Sequence, residues 1–341
     1  MTGSLELVPA DTSPRDAVLP GLREAAGALA EAGVSVPSLD GKLLRSVMAF
    51  GLVAPSRRSE LDLRFWSGAL AVEMAHEASL LHDDVVDASD RRRGVPTVAA
   101  EFGPSVALLR GDEYLTGSYR AAARTASPAF LDVFLQAVHG TVVGERRQGR
   151  SGACPLSLAA YEELVAWKTG RLFGAAAALS ALVPEASPVA EDRTKLGEEL
   201  GIFYQMVDDL LDYCPAADTG KPGLQDHRRG TWTWLLGIPG APALSAEPDE
   251  ILAALTRTSE DGPPLLRRAL GRLESRASAL ECRVQAASQG CRLLTTILQG
   301  WVTMARKGVE AQLSAEEASY VPEQAEPGDP ADSALPSRAA G

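Results

Sequence analysis

From Leu63 to Leu81 the apolar residues Leu63, Trp66, Leu70, Met74, Ala78 and Leu81 recur at spacings of three and four. That period belongs to a helix with one buried face, and it predicts a helix from Leu61 to about Ala88, roughly 40 Å long. The same period, with Ala and Leu dominant and Val or Ile seldom alternating with polar residues, predicts helices over 15–32, 42–53, 98–124, 129–147, 158–183, 189–212 and 264–313. An all-α fold follows. Between Tyr213 and Gly230 the period gives way to Pro, Gly, Asp and basic residues, which predict a polar loop. The stretch 239–262 carries no chemical signal.

Composition narrows the class. At 341 residues the length suggests two domains, and 45% hydrophobic against 23% charged residues is ordinary globular composition, which excludes a disordered protein. The net charge of −12 argues against a nucleic-acid or anionic-membrane surface. Part of that charge lies in 315–341, a Pro-rich segment with six acids and one base. It is expected to be disordered, as are residues 1–14, leaving a folded unit over 15–314. Cys154, Cys214, Cys282 and Cys291 fall in no metal-ligand spacing and are too sparse for a disulfide scaffold. No apolar run is long enough for a membrane span or placed as a signal peptide, so a cytoplasmic protein is expected.

Two segments interrupt apolar helices with one five-residue pattern, Asp83-Asp84-Val85-Val86-Asp87 and Asp208-Asp209-Leu210-Leu211-Asp212. Positions i and i+4 share a helix face, so Asp83 pairs with Asp87 and Asp208 with Asp212. Like charges so placed repel, and among apolar neighbours they cost stability unless a cation sits between them. Oxygen donors without sulfur or clustered imidazole point to Mg²⁺, which takes one or two carboxylates and completes its shell with water and phosphate oxygens. Solvated helix ends are the bland alternative, and the second copy weighs against it. A metal–phosphate site also predicts cations. Arg92 and Arg93 follow the first motif, Lys168 precedes Thr169 in a helix, and Lys221 lies in the polar loop. Lys42 and Arg45 are three apart, which places them on one face of a helix.

The stretch from His76 to Asp87, followed by Arg92-Arg93-Gly94, resembles the first aspartate-rich motif and arginine pair of the trans-isoprenyl diphosphate synthases, the polyprenyl synthetase family. Phe203 to Asp212 resembles the second motif. Gly41 to Arg45, Gly144 to Gln148, Lys168 to Gly170 and Gly220 to Asp226 fall in the family's order, so the resemblance covers about Lys42 to Leu236. It implies the isoprenoid synthase type I fold, a single bundle of mostly antiparallel helices around a central cavity, and a homodimer. It implies that Asp83, Asp87 and Asp208, with Asp84, Asp209 and Asp212 as ligands or behind them, hold about three Mg²⁺ ions on an allylic diphosphate, Mn²⁺ being a possible substitute. Arg92, Lys168 and Lys221 would grip the same diphosphate. Lys42, Arg45, His76 and Arg93 would hold isopentenyl diphosphate, and Thr169 and Gln205 belong to the substrate-binding set, with Gln205 lining the mouth. The reaction implied is ionisation of the allylic diphosphate, attack by the isopentenyl double bond and proton loss.

By the same resemblance, small side chains at Ala78 and Ser79, one helical turn before Asp83, imply a product of geranylgeranyl length or longer. The chain departs from the family where Thr231 replaces a lysine, with Arg228 or Arg229 as possible substitutes, and where Asp40 and Ser46 replace a glycine and a proline. Alternatives are a terpene cyclase or modified-acceptor prenyltransferase on the same fold, a noncatalytic partner subunit, and a phosphohydrolase using His82-Asp83. The complete pair of Asp triads argues against the subunit, and the second triad is unexplained by the hydrolase.

Overall fold

The computed structural model describes residues 13–92, 94–151, 155–183, 190–217, 223–258, 262–287 and 292–319. Its α-helices are α1 (Pro14–Glu31), α2 (Leu44–Gly51), α3 (Leu63–Val86), α4 (Val98–Phe102), α5 (Pro104–Ala123), α6 (Pro128–Ser151) and α7 (Leu158–Val165). They continue with α8 (Arg171–Ala178), α9 (Ala190–Asp212), α10 (Gln225–Arg228), α11 (Pro248–Thr256), α12 (Leu265–Ala287) and α13 (Arg292–Ser319). A short antiparallel hairpin after α3 pairs β1 (Arg91–Arg92) with β2 (Val95–Pro96), Arg92 opposite Val95. The fold is all-α as expected, and no described helix is long and apolar enough to cross a membrane.

Local chemistry sets the boundaries. The Asp62 carboxylate accepts the N–H groups of Arg64 and Phe65 at 3.0 and 3.2 Å and opens α3. Ala88, at φ 48°, turns the chain away after Asp87. The single helix expected over 98–124 is broken at Gly103, whose φ of 91° favours glycine, and Pro104 opens α5 where its missing N–H costs nothing. The expected helix over 158–183 is four pieces: α7, a π-helical turn at Ala166–Gly170, α8, and a 3-10 turn at Leu179–Leu182. The silent stretch 239–262 contains α11, opened by Pro248 with a capping box between Glu247 and Glu250. The polar loop contains α10, and α13 runs to Ser319, past the expected end of the folded unit at 314.

The apolar stripe of α3 proves to be a fully enclosed segment. Every residue from Phe65 to Ala75 is buried, because α1, α2, α5 and α8 all pack against it, while Leu63 at the start of the stripe is exposed. Six consecutive residues of α8, Leu172 to Ala177, are likewise buried, against α6, α9 and α2. One continuous core joins these helices. Near the last turns of α3 and α9 the enclosure ends, and there the two aspartate motifs lie.

Candidate active site

The first motif occupies the last turn of α3. Asp84 is buried, and its Oδ1 accepts a hydrogen bond from Arg92 Nε at 2.9 Å and lies 2.8 Å from Arg92 Nη2 in an ion pair. The hairpin of β1 and β2 thus folds back onto the helix that precedes it. Asp83 faces elsewhere. Burial first, then the nearby carboxylates of Glu145 and Asp87, raise its pKa to about 7, against the pull of Lys168 and Arg92. Asp87 meets Arg229, with Oδ2 at 3.0 Å from Nη1.

The second motif closes α9. Asp209 is buried and satisfied on both oxygens: the Tyr161 hydroxyl donates to Oδ2 at 2.6 Å and Gln205 Nε2 donates to Oδ1 at 2.9 Å. Gln205 in turn accepts from the Thr169 hydroxyl at 3.1 Å. Burial pushes Asp209 well above the usual carboxylate range and Tyr161 well above the usual phenol range, so that phenol keeps its proton and donates it. Asp212 accepts the backbone N–H groups of Gln225 and Asp226, each at 2.9 Å, and so caps α10 from outside. Asp226 is thereby brought beside the motif. Burial, then Asp212 and Asp208, raise its pKa to about 7, with Lys168 and Arg229 opposing.

Lys168 links the two clusters. It sits on the π-helical turn, and its ammonium contacts Glu145 Oε2 at 2.7 Å and Gln148 Oε1 at 2.5 Å, both from α6. Burial alone would lower its pKa, but Glu145, Asp83 and Asp87 more than reverse this and raise it, so the residue is charged. Its field reaches Asp83 on one side and Asp226 on the other. Gly144 permits the approach: a Cβ there would lie 2.5 Å from the Lys168 backbone N and 2.7 Å from its Cα. Lys168, Gln205, Asp209, Asp226, Thr231 and Trp232 share one cleft.

The remaining expected residues divide. Arg45 is buried, its guanidinium 4.6 Å from the Phe173 ring centroid, and its Nε has no hydrogen-bond partner among the described residues. Burial lowers its pKa, with Glu73, Tyr204 and Glu77 opposing. Lys42 is exposed and lies outside α2, so the two do not share a helical face. The cause is Leu43, whose left-handed φ of 51° separates them. His76 is half-buried, and its carbonyl accepts from the Ser79 hydroxyl at 2.7 Å, while Ala78 is fully buried. Arg93 and Lys221 lie outside the described residues. His227 is buried in α10, whereas His139 is exposed. Trp232 and Trp234 are both buried, and Trp234 Nε1 donates to the Met206 carbonyl at 3.0 Å, which ties it to α9. Sequence reasoning missed Tyr161, for which no signal exists, and gave no role to Glu145, Gln148 or Asp226, although each stands in a quoted motif.

The donor set suits Mg²⁺. Two groups of oxygen donors stand so close that burial and mutual repulsion hold Asp83 and Asp226 protonated to about pH 7, a strain that a hard cation relieves. Among the described residues no three carboxylate, imidazole or thiol groups converge to hold an ion by themselves.

Two aspartate clusters thus stand at the ends of α3 and α9 in an all-helical core, with the half-buried Lys168 beside them. The model of the polyprenyl synthetase family matches residues 27–262, and the chain belongs to that family. It is 35% identical over 164 residues to a prenyl transferase from Cyanophora paradoxa, covering 47% of this chain and 51% of that one. It is 40% identical over 147 residues to an octaprenyl diphosphate synthase from Haemophilus influenzae, covering 42% and 45%. The chain spans about half the length of the curated relatives it matches. A crystal structure of a polyprenyl synthase from Caulobacter crescentus, complexed with calcium and isoprenyl diphosphate, aligns at 26% identity and a TM-score of 0.58, over 92% of this chain and 98% of that one.

Proposed function

We propose that this chain is a trans-prenyltransferase that condenses isopentenyl diphosphate with an allylic diphosphate and releases a polyprenyl diphosphate of geranylgeranyl length or longer. The observation that carries the reading is the charged Lys168, held by Glu145 and Gln148 between the carboxylate clusters of α3 and α9. Membership of the family and the octaprenyl, solanesyl and hexaprenyl diphosphate synthases among its relatives support it.

Asp83, Asp87 and Asp208 are the residues to hold Mg²⁺, which when bound would neutralise the leaving diphosphate. Asp84, Asp209 and Asp212, occupied by Arg92, by Tyr161 with Gln205, and by the backbone of α10, fix those carboxylates in place. Lys168 and Arg92 orient the allylic diphosphate. Arg45, a buried cation with an unsatisfied Nε, holds the diphosphate of the second substrate together with Lys42 and His76. The product length rests on the small side chains at Ala78 and Ser79, one turn before Asp83, of which Ala78 is buried and Ser79 half-buried.

The chain works in the cytoplasm, in keeping with its free thiols at Cys214 and Cys282. It works as a homodimer, for which the exposed Leu109 and Val142 of α5 and α6 offer apolar surface. The site assignment is tested with Asp83→Asn and Asp208→Asn. Each is expected to lower Mg²⁺-dependent isopentenyl transfer by orders of magnitude with helical circular dichroism unchanged and light scattering still at two chains. Full transfer by either variant would refute the metal assignment.

A further inference from the structure

Arg229 directly follows α10, in the loop after the second motif, yet its side chain reaches the first. Its Nη1 lies 3.0 Å from Asp87 Oδ2, and its Nη2 donates to the Ser89 hydroxyl at 3.1 Å, a residue 140 positions earlier. It also acts on the second cluster, drawing down the pKa of Asp226. Its neighbour Arg228 turns back instead, donating from Nη1 to the Gly223 carbonyl at 3.1 Å. Thr231, in the wall of the cleft, brings no charge. Arg229 therefore spans the mouth between the halves of the site.

The pair it makes is built to be exchanged. The two side chains are 45% and 31% exposed, so solvent reaches both, and an ion pair of this kind is held weakly. A guanidinium presents a planar fork that matches phosphate oxygens and binds them in pairs. We propose that Arg229 is a latch: in the metal-free protein it occupies Asp87, and when that carboxylate is given up to a divalent cation it turns onto the substrate diphosphate. This rests on the proposed function, which makes Asp87 a metal ligand. Arg229 then has two successive partners of like charge, and the mouth stays closed by the same side chain before and after loading.

The test uses the full chain and calorimetric titration, first with Mg²⁺ alone and then with inorganic pyrophosphate at saturating Mg²⁺. Removing the competing cation in R229Q is expected to tighten Mg²⁺ binding by about two- to fivefold, the scale of one exposed ion pair. The same variant is expected to weaken pyrophosphate binding by about tenfold or more, the scale of one charged hydrogen bond. R229K should recover part of the pyrophosphate affinity, since it keeps the charge but loses the fork. R228Q should match wild type in both titrations. Unchanged or weaker Mg²⁺ binding by R229Q, or undiminished pyrophosphate binding, overturns the latch. A wild-type protein that bound neither ligand would instead overturn the proposed function, and the latch with it.

Discussion

Asp83 and Asp226 each retain a proton to about pH 7, and this makes the site's charge balance measurable. In the unfolded chain both carboxyls would release that proton near about pH 4. The folded state binds protons more tightly, so the stability these groups contribute is complete below about pH 4 and lost as pH rises through about 7. A divalent cation takes the place of the protons and is favoured once they leave. The Mg²⁺-induced rise in Tm is therefore expected to be larger at pH 8 than at pH 6, read by thermal unfolding with and without the metal. An equal rise at both would contradict this balance. Much of the residue-level chemistry was legible beforehand. The two aspartate patterns announce themselves because a five-residue repeat inside apolar helices has no packing explanation. Tyr161 and the burial of His227 had no such signal, and Arg229, named beside Arg228 as a substitute for the missing lysine, gave no sign of its pairing with Asp87, since each depends on which helix ends meet, and a lone side chain does not encode that.

At the scale of elements, helical periodicity predicted where helices occur better than where they break. The interruptions follow backbone details that period alone does not carry: the positive φ at Gly103, the left-handed Leu43 that takes Lys42 off α2, and the π-helical turn that presents Lys168. The π-helical turn has the clearest consequence, because α6 crosses it at Gly144 with no room for a Cβ. Gly144→Ala is expected to cost about 1–3 kcal/mol, as overpacking against an unyielding backbone does. It should also lower activity by loosening Glu145 and Gln148 from Lys168. Gly300→Ala in α13, where nothing lies within 4 Å of the added Cβ, should be neutral or stabilising by up to about 1 kcal/mol. Urea unfolding of the two variants checks this. Equal stabilities would show that the crossing of α6 over the turn is looser than described.

For the whole molecule, length suggested two domains, but the aspartate motifs lie 125 positions apart in sequence, and Lys168, which interacts with Asp83 and Asp87 of the first, shares a cleft with Asp209 of the second, on helices joined in one core. The net charge of −12 also takes on a different meaning, since six of the acids counted in it belong to the two aspartate motifs, whose charge a divalent cation would offset on the proposed reading. The most direct test is to incubate the purified protein with Mg²⁺, isopentenyl diphosphate and, separately, each allylic starter, remove the phosphates and size the resulting alcohols by mass spectrometry. The account predicts alcohols extended in five-carbon steps to twenty carbons or more, only when both substrates and the metal are present. Hydrocarbon formed without isopentenyl diphosphate, or no extended alcohol from any starter, would contradict it.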